Sequence, residues 1–441
     1  ILILGIIGIS SLIRKYTPTK ETEDLNKYFN ISSEDESALI VDNTVSDSKA
    51  KLIDGKIYVD YIFVHDSLNS RFYWDANENV LLYTTAADIV SAAADSSTYT
   101  VTKQANDFGY PIVKATSSSA LIALDYVKQF SNITYKSYDK PSRTVITTSW
   151  GKIETASTAK STQLRVKGGI KSPILKQVKK GESLTILEKG TKWDKAASKD
   201  GIVGYIKAST LSDIKTTELK NNDYTEEAFT HIKKDKDICL AWHQITNKSS
   251  NSKVANVISS TKGVNVMSPT WFYLNDNNGG LADLASKDYV NYCHSQGIEV
   301  WGLFSNLENK NVDAASVLTH TSTRTTLINQ IMSAAFNYEL DGVNIDFENI
   351  TKEAYGDSYI EFIRELAIKC HNNGISLSVD VTVPASYNKF FNRADMANFA
   401  DYVIIMGYDE HYNGSDAGSV ASLPWVTTGL NDTLKEVPAD Q

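Results

Sequence analysis

The stretch DGVNIDFEN, Asp341 to Asn349, sets polar side chains at alternate positions. As a strand it sends Val343, Ile345 and Phe347 to one face and Asn344, Asp346 and Glu348 to the other. The apolar row suits a covering layer of helices. The polar row would line the inner side of a sheet, where burying a carboxylate is costly. Packing explains such a column of acids poorly. Crowding raises the pKa of at least one carboxyl, and that is how a general acid is made at neutral pH.

The surrounding elements must place that column. From residue 235 on, strand patterns alternate with helical ones: ICLAWHQI, GVNVMSPTWFYL, IEVWGLFSN, GVNIDFEN, ISLSVDVTVP and DYVIIMGYDEHY, each followed by a helix or loop. Such mostly apolar strands imply a parallel sheet with helical cover. Gly297 and Gly374 follow two of the helical runs as C-caps. No Gly-rich phosphate loop follows the first strand, so a (β/α)8 TIM barrel fits better than an open doubly wound sheet. In a barrel the inner face of the fourth strand points at the axis. Asn344 would then be deepest, Asp346 one layer up and Glu348 at the catalytic rim.

At this point Asp341, Gly342, Asn344, Asp346 and Glu348 resemble the DGxDxDxE signature of family 18 glycoside hydrolases. MGYD, Met406 to Asp409, resembles that family's sixth-strand motif. The run over 235–441 looks most like the branch with bacterial spore-cortex and cell-wall glucosaminidases. The resemblance implies substrate-assisted, retaining hydrolysis of β-1,4 bonds next to N-acetylglucosamine in peptidoglycan or chitin. Glu348 would protonate the leaving oxygen and then activate water. Asp346 would orient the acetamide N–H and offset charge on the intermediate. Tyr408 would donate to the acetamide oxygen, and Asp409 and Met406 would line the sugar site. Trp242 and Trp271, near the ends of the first two strands, could stack on sugars or pack in the core. Asp341 and Gly342 complete the motif as structural positions. One residue departs from the signature: Asn344 stands where the middle Asp is usual. Its amide cannot pass a proton, but it can still hydrogen-bond Asp346.

The rest of the chain reads as accessory modules. Residues 1–15 open with the uncharged ILILGIIGISSLI, followed by Arg14 and Lys15. They suggest an incomplete membrane anchor, or a signal segment. Residues 16–36 are polar and acidic, as in a linker. Over 37–152 a helix-like stretch, YWD or SYD and a Val/Ile/Thr strand occur twice. That α+β duplication resembles the small domain named from the N-terminal part of copper amine oxidases, without copper ligands. Residues 158–214 have short strands and Gly turns in an order that resembles a bacterial Src-homology-3 domain, an all-β barrel that would contact cell-wall peptides or act as a spacer. Residues 215–234 read as a second linker, before the barrel at 235–441.

Composition narrows the partners. The 441 residues carry a net charge of −9 with no long basic run, so a nucleic-acid partner is not indicated. Three Cys, at 239, 293 and 370, and seven scattered His give no metal pattern, and no cofactor is expected. Each Cys lies in an apolar run and is expected to be buried. The modules point to an extracellular or cell-surface enzyme of a Gram-positive-type bacterium acting on a polysaccharide. A non-catalytic carbohydrate-binding surface protein is the alternative, and a wall-anchoring protein with a vestigial barrel is a third. Six strands can be counted before Gln441, where a barrel needs eight. The sequence is therefore expected to be a fragment, inactive and poorly soluble by itself.

Overall fold

The computed structural model describes residues 13–348, 350 and 355–441. Residues 1–12, most of the expected anchor or signal segment, lie outside that set. Among the described residues no helix is long and apolar enough to cross a membrane. The chain forms two compact units, Ile1–Ser70 with Pro111–Glu226 and Arg71–Tyr110 with Glu227–Gln441.

The first unit holds two seven-stranded sheets. Short helices Tyr61–Ser67 and Leu124–Gln129 precede YWD and SYD, as the sequence echo suggests. Two expectations need correction. Residues 16–36 are not a free linker. Phe29 is fully buried, Tyr28 donates to the Val203 carbonyl at 2.7 Å, and Thr22 forms a β-bridge with Ile174. The aromatic pair in an otherwise polar segment gives it a core to join. The second linker also starts later than residue 215. Strand Leu211–Leu219 stays paired with Gly151–Thr158 out to Leu219.

The second unit is built on six parallel strands: β1 Leu240–His243, β2 Val266–Leu274, β3 Glu299–Ser305, β4 Gly342–Asp346, β5 Ser376–Thr382 and β6 Tyr402–Met406. They lie side by side in chain order. A helix follows each: α1 Val254–Ser259, α2 Lys287–Ser295, α3 Thr321–Tyr338, α4 Gly356–His371, α5 Arg393–Phe399 and α6 Leu423–Thr433. This order, with no reversal, is that of a TIM-barrel-like domain and not of a doubly wound sheet. Gly297 and Gly374, at φ 71° and 68°, let the chain turn back after α2 and α4. Val343, Ile345 and Phe347 share one buried core with Leu327 and Ile331 of α3 and Phe362 and Leu366 of α4. The Phe347 ring stacks on Phe362 at 5.5 Å.

The span 37–152 does not stay together. Its residues Arg71–Tyr110 form a five-stranded antiparallel meander within the second unit. The meander's first strands pack on α4. Asp75 accepts from the Thr321 N–H and hydroxyl, both at 2.6 Å, and so caps α3 from a distant part of the chain. Thr84 donates to Glu361 at 2.7 Å, and Tyr73 meets the Ser358 hydroxyl at 3.0 Å. Local turn signals describe such a meander but say nothing of what it covers. Of the cysteines, Cys293 and Cys370 are buried as expected, but Cys239 is exposed.

Candidate active site

The motif on β4 runs from anchor to mouth. The Asp341 carboxylate accepts from His294 Nε2 and from the Val300 N–H, each at 2.8 Å, and ties the start of β4 to α2 and β3. At Gly342 a Cβ would lie 2.6 Å from the Trp301 indole, so only glycine fits that contact. Asn344 is then fully buried, Asp346 half-buried and Glu348 exposed. This is the layering expected for the inner face of a barrel strand.

Asn344 is held on both ends of its amide. Its Oδ1 accepts from Trp242 Nε1 and from Ser268 Oγ, each at 3.0 Å. Its Nδ2 donates to Asp380 Oδ1 at 2.8 Å. The donor expected to serve Asp346 therefore serves a carboxyl on β5 instead. Asp346 Oδ1 is buried without a hydrogen-bond partner. Burial, then the nearby Glu348 and Glu308, push its carboxyl up to about 7. Burial, then Asp409, also raise Glu348. Acids crowded in this way can store a proton at neutral pH.

The other candidates divide. Tyr408 follows β6 and is 42% exposed. Burial, then Asp346, Glu348, Asp380 and Asp409, push its hydroxyl up to about 12 and keep it a proton donor. Asp409 adopts a left-handed backbone at φ 67°, beside these acids. Met406 lines a cavity of about 200 Å³ with Glu348, Asp380, Thr382, Tyr387 and Asn388. Trp242 is 41% exposed and reaches the site through its bond to Asn344. Trp271 is the correction. It is fully buried, donates to Asn251 at 2.8 Å and packs edge-on against Tyr289. The register of β2 against β3 shifts between Thr270 and Phe272. Ser268 faces Asn344, so alternation along β2 before that shift already turns Trp271 to the opposite, helix-covered side.

Sequence reasoning missed Asp380. Its signal was present, because Ser376, Ser378, Asp380 and Thr382 alternate with Leu377, Val379 and Val381 in the same way as the β4 motif. Among the described residues no group of three or more His, Cys, Asp or Glu could hold a metal ion.

The strained proton balance has a cost in stability. A folded-state rise of Asp346 from 3.8 to about 7 means that the folded protein binds the proton more tightly than the unfolded chain. Stability therefore falls as pH rises through that window, by at most about 4 kcal/mol. Asp346→Asn is expected to raise the thermal midpoint by several degrees at pH 8. The gain should vanish near pH 4. Differential scanning calorimetry at the two pH values checks this, and an equal gain at both would refute it.

The chain is 25% identical over 177 residues to YvbX, an uncharacterized glycosylase of Bacillus subtilis, a match covering 38% of this chain and 51% of that protein. It is 23% identical over 173 residues to the cortical fragment-lytic enzyme of the same organism, covering 37% and 40%. The chain thus spans about half, or less, of the length of these curated relatives. A chitinase structure from Chromobacterium violaceum superimposes with a TM-score of 0.41 at 21% identity, over 46% of this chain and 65% of that one. The sequence model for glycosyl hydrolases family 18 matches residues 202–436, more than half of the chain. The acidic strand β4 lies within that match, and the chain belongs to glycosyl hydrolases family 18.

Proposed function

We propose that the protein hydrolyses β-1,4 bonds next to N-acetylglucosamine in peptidoglycan or a chitin-like glycan, with the acetamide of the substrate as nucleophile. The observation that carries this reading is the burial gradient Asn344, Asp346, Glu348, which ends in a raised carboxyl at the edge of a cavity. Glu348 gives its proton to the glycosidic oxygen as the C1–O bond breaks. The acetamide oxygen bonds to C1 from the opposite face, and Asp346 offsets the positive charge of the resulting ring. Tyr408 donates to the acetamide group and Asp409 lines the sugar site. Water then attacks C1, gives its proton to Glu348 and reopens the ring. The names of the relatives, a glycosylase and a cortical fragment-lytic enzyme, favour a cell-wall glycan. Residues 158–214 would add a wall contact at the surface of a Gram-positive-type bacterium.

Two displacements at C1 return the starting configuration. Proton NMR of fresh product from a soluble N-acetylglucosamine oligomer should show the β anomer first. An initial α anomer would rule the mechanism out. Binding without any product would point to a carbohydrate-binding protein instead.

A further inference from the structure

The Asn344–Asp380 contact changes which group can hold the proton of the site. Strand β5 pairs with β4 so that Asn344 meets Ser378 and Ile345 meets Val379. Asp346 and Asp380 come next on their strands and share the inner face. Trp242 Nε1 is a donor only, so its bond to Asn344 Oδ1 fixes the orientation of the amide and leaves nitrogen toward Asp380. Asp380 is 3% exposed and lines the cavity beside Glu348. Among the described residues, the titratable groups facing it are Asp346 from β4, Glu348 just after it, Tyr359 from α4 and Tyr408 after β6. All of them are acids. Two adjoining carboxyls on one buried face share a single negative charge, because a second would be repelled and poorly solvated. An amide at 344 can take no part in that sharing.

We propose that Asp380 is the proton-holding partner of Asp346, a positioning residue that keeps one negative charge on the pair and leaves Asp346 as the anion beside Glu348. The role rests on the reading of Glu348 and Asp346 given above. Burial drives the Asp380 carboxyl well above the usual range. The Asn344 hydrogen bond opposes this, while the charges of Asp346 and Glu348 add to it. A protonated Asp380 also has an O–H to offer its neighbour on β4.

The first test needs no turnover. In the full chain labelled with ¹³C at aspartate carboxyls, the resonance lost in Asp380→Asn identifies Asp380. It should remain that of a protonated acid through pH 7. Titration near the ordinary value of about 4 overturns the proposal, whether or not the protein cleaves glycans. The second test is the pH profile of kcat/KM on a soluble N-acetylglucosamine oligomer. Asp380→Asn mimics the protonated acid and should stay within about threefold of wild type at the optimum. Asp380→Ala removes the donor, so its acid limb should move up by about one pH unit, the tenfold change of a lost charge-assisted hydrogen bond. An unmoved limb, or an Asn variant as damaged as the Ala variant, overturns the proposal. If the Ala variant does not fold, Asp380→Leu, close to aspartate in size and without a donor, takes its place, with the same expected shift.

Discussion

Glu348→Gln is expected to lower turnover of an N-acetylglucosamine oligomer at least about 100-fold, with KM changed little. A general acid contributes about 10²–10⁴-fold, and glutamine can neither give nor take the proton. The fold has little stake in this side chain, because Glu348 is exposed at the end of β4 while Phe347 beside it carries the packing. Loss of kcat with an unfolding midpoint unchanged or slightly raised, as removal of a raised carboxyl allows, would therefore be a chemical effect. Asp346→Asn gives the contrast, since its charge is buried and its removal should stabilise the fold while slowing the reaction. A purified Gln variant with wild-type turnover would remove Glu348 from the role and the mechanism with it.

The β4 column was legible because a strand has a period of two and both faces of this strand are covered. Val343, Ile345 and Phe347 had to face helices, which left Asn344, Asp346 and Glu348 for the interior. The sequential order of the six strands followed from the alternation of strand and helix patterns. The same period-two reasoning applied to β5 would have found Asp380, but its acid stands alone among serines and threonine and matched no motif. Trp271 was left open between sugar and core, and the period of two that points Ser268 at Asn344 would have assigned it to the core. The meander was the hardest element to read. Its partners Thr321, Ser358 and Glu361 lie more than two hundred residues downstream. On the helix side these contacts are isolated hydroxyls, one carboxylate and a helix-end N–H, on otherwise ordinary helix faces.

Those helix faces also carry the largest expected effect on stability. Arg324 of α3 is fully buried, and its guanidinium bonds to Glu365 of α4 at 2.9 and 3.0 Å. It lies over the Tyr73 ring of the meander at 5.1 Å. Arg364 of α4 is paired in turn with Glu361 and with Asp395 of α5. Glu365→Leu would leave the Arg324 charge buried without its carboxylate, at a cost of about 3–5 kcal/mol. Replacing both, Arg324→Met with Glu365→Leu, removes the unpaired charge and should return most of that loss. The unfolding midpoint of the second unit should fall by roughly 10 °C in the single variant and by far less in the double variant. Activity should fail at the same lowered temperature, because α4 holds Phe347 through Phe362 and Phe347 immediately precedes Glu348. A single variant within about 1 kcal/mol of wild type would show that the pair contributes little to holding α3 and α4 together. The position of Glu348 would then depend on the apolar contacts of β4 alone.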